Sequence, residues 1–304
     1  MGIVFIIGNG FDLNLGLKTS YQDFFDSKSF VEDSGNTKKI ESIISGPRRF
    51  GLPAETVSVF DYLRAYRHLT NWCDIEGALG DLITFFPNKD HSGFVITEDS
   101  FKQLHSRFCE YLNKNVLNKS FNLDTNSIAY VLANRIADIP DLSILNFNYT
   151  PSLEHISPYF EGKVKYIHGN VKENSIIFGV EDELDVPKDY SFLLKTFNSN
   201  YRGHSIQYQL LNADHIIIFG HSLAKADYHY FKELFMRQTN PKDAMPQQRI
   251  SIFTKDEKSL RDVLWQIRKM NENRSNYLFD LCNFEIFRTD NDQERINTFL
   301  KGLN

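Results

Sequence analysis

The five apolar residues Ile3–Ile7 run without a break and stop at Gly8-Asn9-Gly10. A short continuous apolar run closed by glycine is the pattern of a strand buried on both faces. Runs of the same kind recur at 142–147, 164–167, 175–178, 215–219, 249–254 and 284–288. Apolar positions with helical spacing occupy 228–237, 258–269 and 292–300, between or after the later runs. Strands alternating with helices across short gaps predict a parallel α/β sheet. The stretch before residue 142 reads differently. Ile75, Leu79, Leu82, Ile83 and Phe86 share one helical face within 72–86, and Phe101, Leu104, Phe108 and Leu112 share another within 101–116. Ile128, Val131, Leu132 and Ile136 repeat the spacing. The expectation is one α/β domain over 1–304, its first strand separated from the rest by a mostly helical insertion over 30–140. Residues 34–53, rich in Gly, Ser and Lys, read as a connecting loop.

Composition narrows the function classes. The chain has 304 residues, 41% hydrophobic and 24% charged, which excludes a disordered chain. Phenylalanine is abundant, with 26 residues, so the core or an oligomer interface is aromatic. Thirty-four basic against 39 acidic residues leave a net charge of -5, without the basic footprint of a nucleic-acid binder. The basic pairs Lys38-Lys39 and Arg48-Arg49 are short and read as solvated loop positions. No run of about 18 apolar residues predicts a membrane-spanning helix. The apolar start lacks a basic leader region and reads as a strand. Cys73, Cys109 and Cys282 are too scattered for a disulfide framework or a zinc site, and a reducing cytoplasm is the expected compartment. His221 and His229 have no metal-ligand spacing. Neither a P-loop nor a GxSxG elbow is present.

Four polar clusters follow predicted strands. Gly8-Asn9-Gly10-Phe11-Asp12 follows the first, where glycines permit a tight turn and close approach of a phosphate, or simply close the strand. Asp12 faces a ribose or caps the helix. Asn146-Phe147-Asn148-Tyr149-Thr150 offers an amide that orients a ribose hydroxyl or a water, or an Asx-turn. Tyr166-Ile167-His168-Gly169 offers an acid or base near neutral pH, or a structural histidine. Gly220-His221-Ser222-Leu223, with Asp227, offers a ribose or phosphate contact, or a helix cap. Each cluster alone reads more simply as structure. All four fall at strand carboxyl ends, and one sheet edge gathers them into one crevice. Asp74 and Glu76, two apart, do not share a helical face, and Glu76 reads as a solvated helix start or an inward-facing carboxylate.

Together these motifs resemble the AbiH family of bacterial abortive-infection proteins. The resemblance lies in Ile7-Gly8-Asn9-Gly10-Phe11-Asp12-Leu13 with Gly16-Leu17, Thr19, Tyr21 and Phe24. It continues through Trp72-x-Asp74-Ile75-Glu76, Asn146-Phe147-Asn148-Tyr149-Thr150, Ile167-His168-Gly169 and Gly220-His221-Ser222-Leu223 with Asp227. The motif order is similar, more distantly, to sirtuin-like NAD-binding domains. That resemblance implies a Rossmann-like, sirtuin-like parallel sheet with the helical insertion after its first strand. It implies that Gly8 and Gly10 hold a pyrophosphate, that Asn148 lies beside the nicotinamide ribose, that His168 is catalytic, and that Gly220 and Ser222 line the groove. Asn9, Phe11, Tyr149, His221 and Asp227 complete the implied cofactor-binding set. Asn148, His168 and Asp12 form the implied catalytic set, positioning water, taking its proton and stabilising positive charge on the ribose. Three departures stand out: Thr150 where the sirtuin-like segment has Asp, Asp12 where a small residue is usual, and no paired cysteines of a deacylase zinc ribbon. The implied function is a phage-defence effector that cleaves NAD or a related nucleotide, with no metal. The alternatives are a nucleotide sensor without turnover and, against the charge, an RNA-targeting effector. An effector of this kind implies a phage-derived trigger, and the Phe content with the family context implies a homo-oligomer.

Overall fold

Buried parallel strands need apolar side chains on both faces, and six segments of this chain supply them. In the computed structural model, which describes residues 2–30, 35–46, 49–50, 55–70, 74–85, 91–92, 94–117 and 122–303, they form one parallel sheet. The strands are β1 (Ile3–Ile7), β2 (Leu142–Asn146), β3 (Val164–Tyr166), β4 (His215–Phe219), β5 (Arg249–Thr254) and β6 (Asn283–Arg288). Their order is β3-β2-β1-β4-β5-β6, the doubly wound order in which the chain reverses direction across the sheet between β1 and β4. The register pairs Ile3 with both Leu142 and His215, and Ile7 with both Asn146 and Phe219, so β1, β2 and β4 end at one level.

The chain divides into two compact units. The first, Met1–Lys18, Ser120–Lys172 and Arg202–Asn304, holds the whole sheet. Its helices are α1 (Asn9–Asn14), α2 (Ile128–Ile136), α3 (Ser152–Ile156), α4 (Ile206–Asn212), α5 (Tyr228–Gln238), α6 (Glu257–Met270), α7 (Asn276–Leu281) and α8 (Gln293–Lys301). One core joins Val4, Ile6, Leu145, Ile216, Ile218, Ile250 and Ile252 to Leu210, Phe231, Leu234, Phe235 and Ile267. By the period-two alternation of strands, Phe5, Phe219, Phe253 and Phe287 point to the other face, where Phe299 of α8 packs on Phe253 and Phe287.

On that second face His215 is 9% exposed and its Nε2 lies 3.0 Å from Ser251 Oγ. Burial, helped by the charge of Arg249, pushes its imidazole down to about 4. A depressed histidine stabilises the fold fully above its unfolded value near 6.5, and the contribution is lost as pH falls towards 4. The loss is at most roughly 3 kcal/mol. Urea denaturation at pH 7 and pH 4.5 is expected to show a smaller acid-induced loss in His215→Gln than in the parent chain. Equal losses would remove His215 as the cause.

The second unit, Thr19–Lys119 and Glu173–Tyr201, contains the helices Tyr21–Phe25, Thr37–Ser45, Val59–Thr70, Ile75–Phe85 and Glu98–Leu112. Phe24 contacts Phe30, Phe108 and Tyr111, and Phe178 contacts Tyr21, Phe101 and Phe108. Much of the phenylalanine content is therefore core. Residues 175–178 are not a strand as the sequence pattern predicts. Ile176, Ile177 and Phe178 are buried, and Phe178 joins this aromatic core. Glu76, at the start of Ile75–Phe85, neither faces solvent alone nor lacks a cation. Its Oε2 lies 3.0 Å from Nζ of Lys195, which is 1% exposed and also 2.7 Å from Glu181 Oε1. A buried ammonium needs such partners. Trp72, Cys73, Phe86 and parts of the 34–53 stretch, Arg48 among them, lie outside the described residues. Among the described residues no helix is long and apolar enough to cross a membrane.

Candidate functional site

Four chain segments leave the carboxyl ends of β1 to β4 in the first unit, carrying the clusters that the sequence singles out. Gly8 is the N-cap of α1, and Asn9 to Asp12 form its first turn. The Gly8 N–H donates to Phe219 O (3.0 Å) and the Gly10 N–H to Gly220 O (2.9 Å). These two amides bind the end of β4, not an open cradle. The glycines are required by the same contact: a Cβ on Gly8 would lie 2.5 Å from His221 Cα, and one on Gly10 2.7 Å from Gly220 Cα. The Phe11 side chain is wholly buried, with its ring centroid 6.0 Å from that of Phe5 and 5.4 Å from that of Phe219. It belongs to the core. Asn9 and Ser222 are exposed, and Gly10, Tyr149 and Gly220 are half-buried.

The segment after β2 is held by its own amides. Asn146 Oδ1 accepts the Asn148 N–H at 2.7 Å, and its Nδ2 donates to Thr150 O at 3.1 Å. Asn148 is buried, and its Nδ2 donates to Gly8 O at 3.0 Å, tying the end of β2 to the end of β1. Asn146 thus makes the Asx-turn, and Asn148 reaches the neighbouring loop.

At this edge lies a buried carboxylate network. Asp12 is wholly buried and accepts a hydrogen bond from Thr150 Oγ1. Tyr166, the last residue of β3, donates to Glu154 Oε1 of α3 at 2.6 Å. Burial raises the Glu154 carboxyl above the usual range, although the Tyr166 hydrogen bond opposes the rise. Burial, then the hydrogen bond to Glu154, holds the Tyr166 hydroxyl firmly protonated. Sequence reading missed Tyr166 and Glu154 as a pair, because a tyrosine in a strand is an ordinary β-former and Glu154 lies in a helix of five residues.

The same edge carries the histidines. His168 follows β3, His221 follows β4, and Asp227 closes the turn Lys225–Asp227 that leads into α5. His168 Nε2 lies 3.5 Å from Asp227 Oδ1 and His221 Nε2 3.3 Å from Asp227 Oδ2. Burial works against ionisation of Asp227, but hydrogen bonds and charge from the two histidines outweigh it and hold the carboxyl well below its usual range. The Phe147 ring meets His221 edge-on at 4.4 Å and His168 at 5.6 Å between centroids. The structure therefore brings His168, His221 and Asp227 together. Asp227 read from sequence as a cofactor contact or a cap, and the residue holds both imidazoles. Among the described residues no group of three or more His, Cys, Asp or Glu could hold a metal ion.

A family model described as bacteriophage abortive infection AbiH matches residues 4–246, which spans β1 to β4 and all four clusters. No curated protein matches the chain.

Proposed function

The chain belongs to the AbiH family of bacteriophage abortive infection proteins, and on that premise we propose that it is an effector that hydrolyses the nicotinamide–ribose bond of NAD or a related nucleotide. The observation that carries this reading is the convergence of His168, His221, Asp227 and Asn148 at the ends of β1 to β4. Open α/β sheets bind ligands there, at the point where strand order reverses. Glycosidic cleavage passes through an oxocarbenium-like state and needs a held ribose, a placed water and a base. Water adds its oxygen to C1′ of the ribose, the C1′–N bond breaks with its electron pair leaving on nicotinamide, and the proton of the water passes to His168. Asn148, whose Nδ2 is engaged by Gly8 O, retains its amide oxygen to accept from a ribose hydroxyl or that water.

The sirtuin-like resemblance supports the reading in one further respect. The two departures at positions 12 and 150 meet, since Thr150 donates to the Asp12 carboxylate. A carboxylate absent from the β2 segment is thus supplied from α1. Being wholly buried, Asp12 acts on a developing positive charge through the field it sets up and not by touching the ribose.

The test is chromatography of NAD incubated with the pure protein, alone and with extract of phage-infected cells, beside Asn148→Ala. Nicotinamide is expected from the parent chain and at a rate at least about tenfold lower from the variant. No nicotinamide under either condition, with NAD still bound by the parent chain, would replace the hydrolase with a nucleotide sensor.

A further inference from the structure

Among the described residues seven large hydrophobic side chains are exposed, and three of them, Trp265, Tyr277 and Phe279, fall on the consecutive helices α6 and α7. Trp265 stands out, because 56% of an indole is left in water near the middle of α6. The helix spends its apolar face on the core: Val263, Ile267 and Met270 are buried, and Leu260 and Leu264 pack beside them. Along the opposite face, steps of three or four residues lead from Lys258 through Arg261 and Trp265 to Arg268 and Lys269, all exposed. Residues so spaced are neighbours on a helix surface. Asp262 is the one acidic residue within the stripe, and it is exposed too. Glu257, at the start of the helix, is engaged by Arg261 Nε at 3.1 Å and by Arg288 Nη1 at 2.8 Å.

Lys269 Nζ lies 5.8 Å from the Trp265 ring centroid, so ring and cation present one surface. The stripe is basic on a chain whose net charge is -5. Net charge averages over every face, and a stripe built from steps of three and four leaves no long run of adjacent basic residues. The occupant of such a face has to be anionic for the cations and flat and apolar for the indole. A nucleobase on a phosphate chain supplies both. An acidic peptide answers the cations and leaves the indole uncovered. A lipid surface takes up a helix by its apolar face, and that face of α6 is already committed to the core. Duplex bases are stacked on one another and closed to an indole, so the form that fits is a single strand. The stripe lies outside residues 4–246, which carry the family match and the four clusters.

We propose that the exposed face of α6 binds single-stranded nucleic acid, with a base stacked on Trp265 and phosphates held by Arg261, Arg268 and Lys269. The site is separate from the hydrolase reading and stands or falls without it. The Arg261–Glu257 pair is exposed on both sides, and such pairs yield readily to a competing anion. Glu257 keeps Arg288 when Arg261 turns to a phosphate. Contacts of this kind reach the backbone and the flat side of a base but no base edge, so the binding tolerates any sequence.

The experiment follows the fluorescence anisotropy of fluorescein-labelled strands of about 20 nucleotides, RNA and DNA of one mixed sequence, titrated with the full chain beside the matching duplex. Dissociation constants of roughly 1 to 100 µM are expected for the single strands, the range of sequence-independent binding. Affinity is expected to fall by about 20- to 50-fold between about 50 and 200 mM salt, as three or four released counterions require. In the double variant Arg261→Gln, Arg268→Gln the slope of log affinity against log salt is expected to be shallower by about 1 to 1.5. Trp265→Ala is expected to lose about tenfold in affinity at an unchanged slope. Unlabelled strand is expected to quench tryptophan fluorescence in the parent chain and not in Trp265→Phe, which keeps Trp72. All three residues are exposed, so the variants fold. Tighter binding of RNA than of DNA, or the reverse, supports the site and names its polymer. No binding of either strand at the lowest salt, or affinities unchanged in the variants, would overturn it. Duplex bound as tightly as single strand would overturn the stacking. Binding to vesicles of equal parts phosphatidylcholine and phosphatidylserine without binding to strands would give the face to a membrane, and displacement of the strand by an equal concentration of oligoglutamate would give it to an acidic protein segment.

Discussion

Replacing His168 by alanine is expected to lower nicotinamide release from NAD by about 10² to 10⁴-fold, the usual contribution of a positioned general base. The expectation has two parts. First, the ring is 6% exposed and locked by Asp227 and Phe147, so water cannot take its place with comparable orientation. Second, the loss concerns a proton that moves only as the bond to water forms, so kcat and kcat/KM fall together while ground-state affinity for NAD is kept. Calorimetric titration of NAD into the variant checks the second part, and product chromatography the first. Activity within about threefold of the parent chain would remove His168 from the chemistry.

The sheet was readable because its strands are covered on both faces. Ile3–Ile7 and His215–Phe219 carry no polar residue between their ends, and a run of that kind needs no partner sequence to be recognised. Residues 175–178 have the same local pattern and fold otherwise. Periodicity reports burial: Ile176, Ile177 and Phe178 are buried without a strand ladder, and Phe178 packs against Tyr21, Phe101 and Phe108. The placement of polar clusters at strand ends was likewise readable, since each follows an apolar run.

What each polar residue does there was not readable. Asp227 and Ser222 both follow β4, and composition cannot say that one holds two histidines and the other is exposed. His168 and Asp227 meet only because β3 and β4 end on the same edge, a fact of topology. Asp12 and Thr150 look like unrelated departures along the chain, and only the fold brings them into a hydrogen bond. The Glu154–Tyr166 pair needed the same long-range information. Motifs record which residues are required near a site, whereas the partners that set tautomer and charge come from elements far apart in sequence.

The Gly-Asn-Gly loop raises the sharpest of these questions, and Gly220→Ala answers it. That substitution is expected to cost about 3 to 5 kcal/mol of folding stability. Gly220 has φ +64°, a left-handed conformation that costs an L residue roughly 1 to 2 kcal/mol. Its new Cβ would lie 2.4 Å from both Gly10 C and Phe11 N, and backbone atoms cannot swing aside as a side chain end can. Forcing the loops after β1 and β4 apart adds the roughly 1 to 3 kcal/mol of overpacking and weakens the Gly10-to-Gly220 hydrogen bond. Gly162→Ala is the control. Gly162 has φ +70° with nothing within 4 Å of its Cβ position, so it isolates the conformational cost alone, about 1 to 2 kcal/mol. Urea midpoints of the two variants separate the readings. If Gly220→Ala is as stable as Gly162→Ala yet no longer binds NAD, the glycines serve close approach of a phosphate. If it loses the larger amount, the glycines serve the interlock of the loops after β1 and β4, and a nucleotide at this edge draws its phosphate donors from groups other than the Gly8 and Gly10 amides.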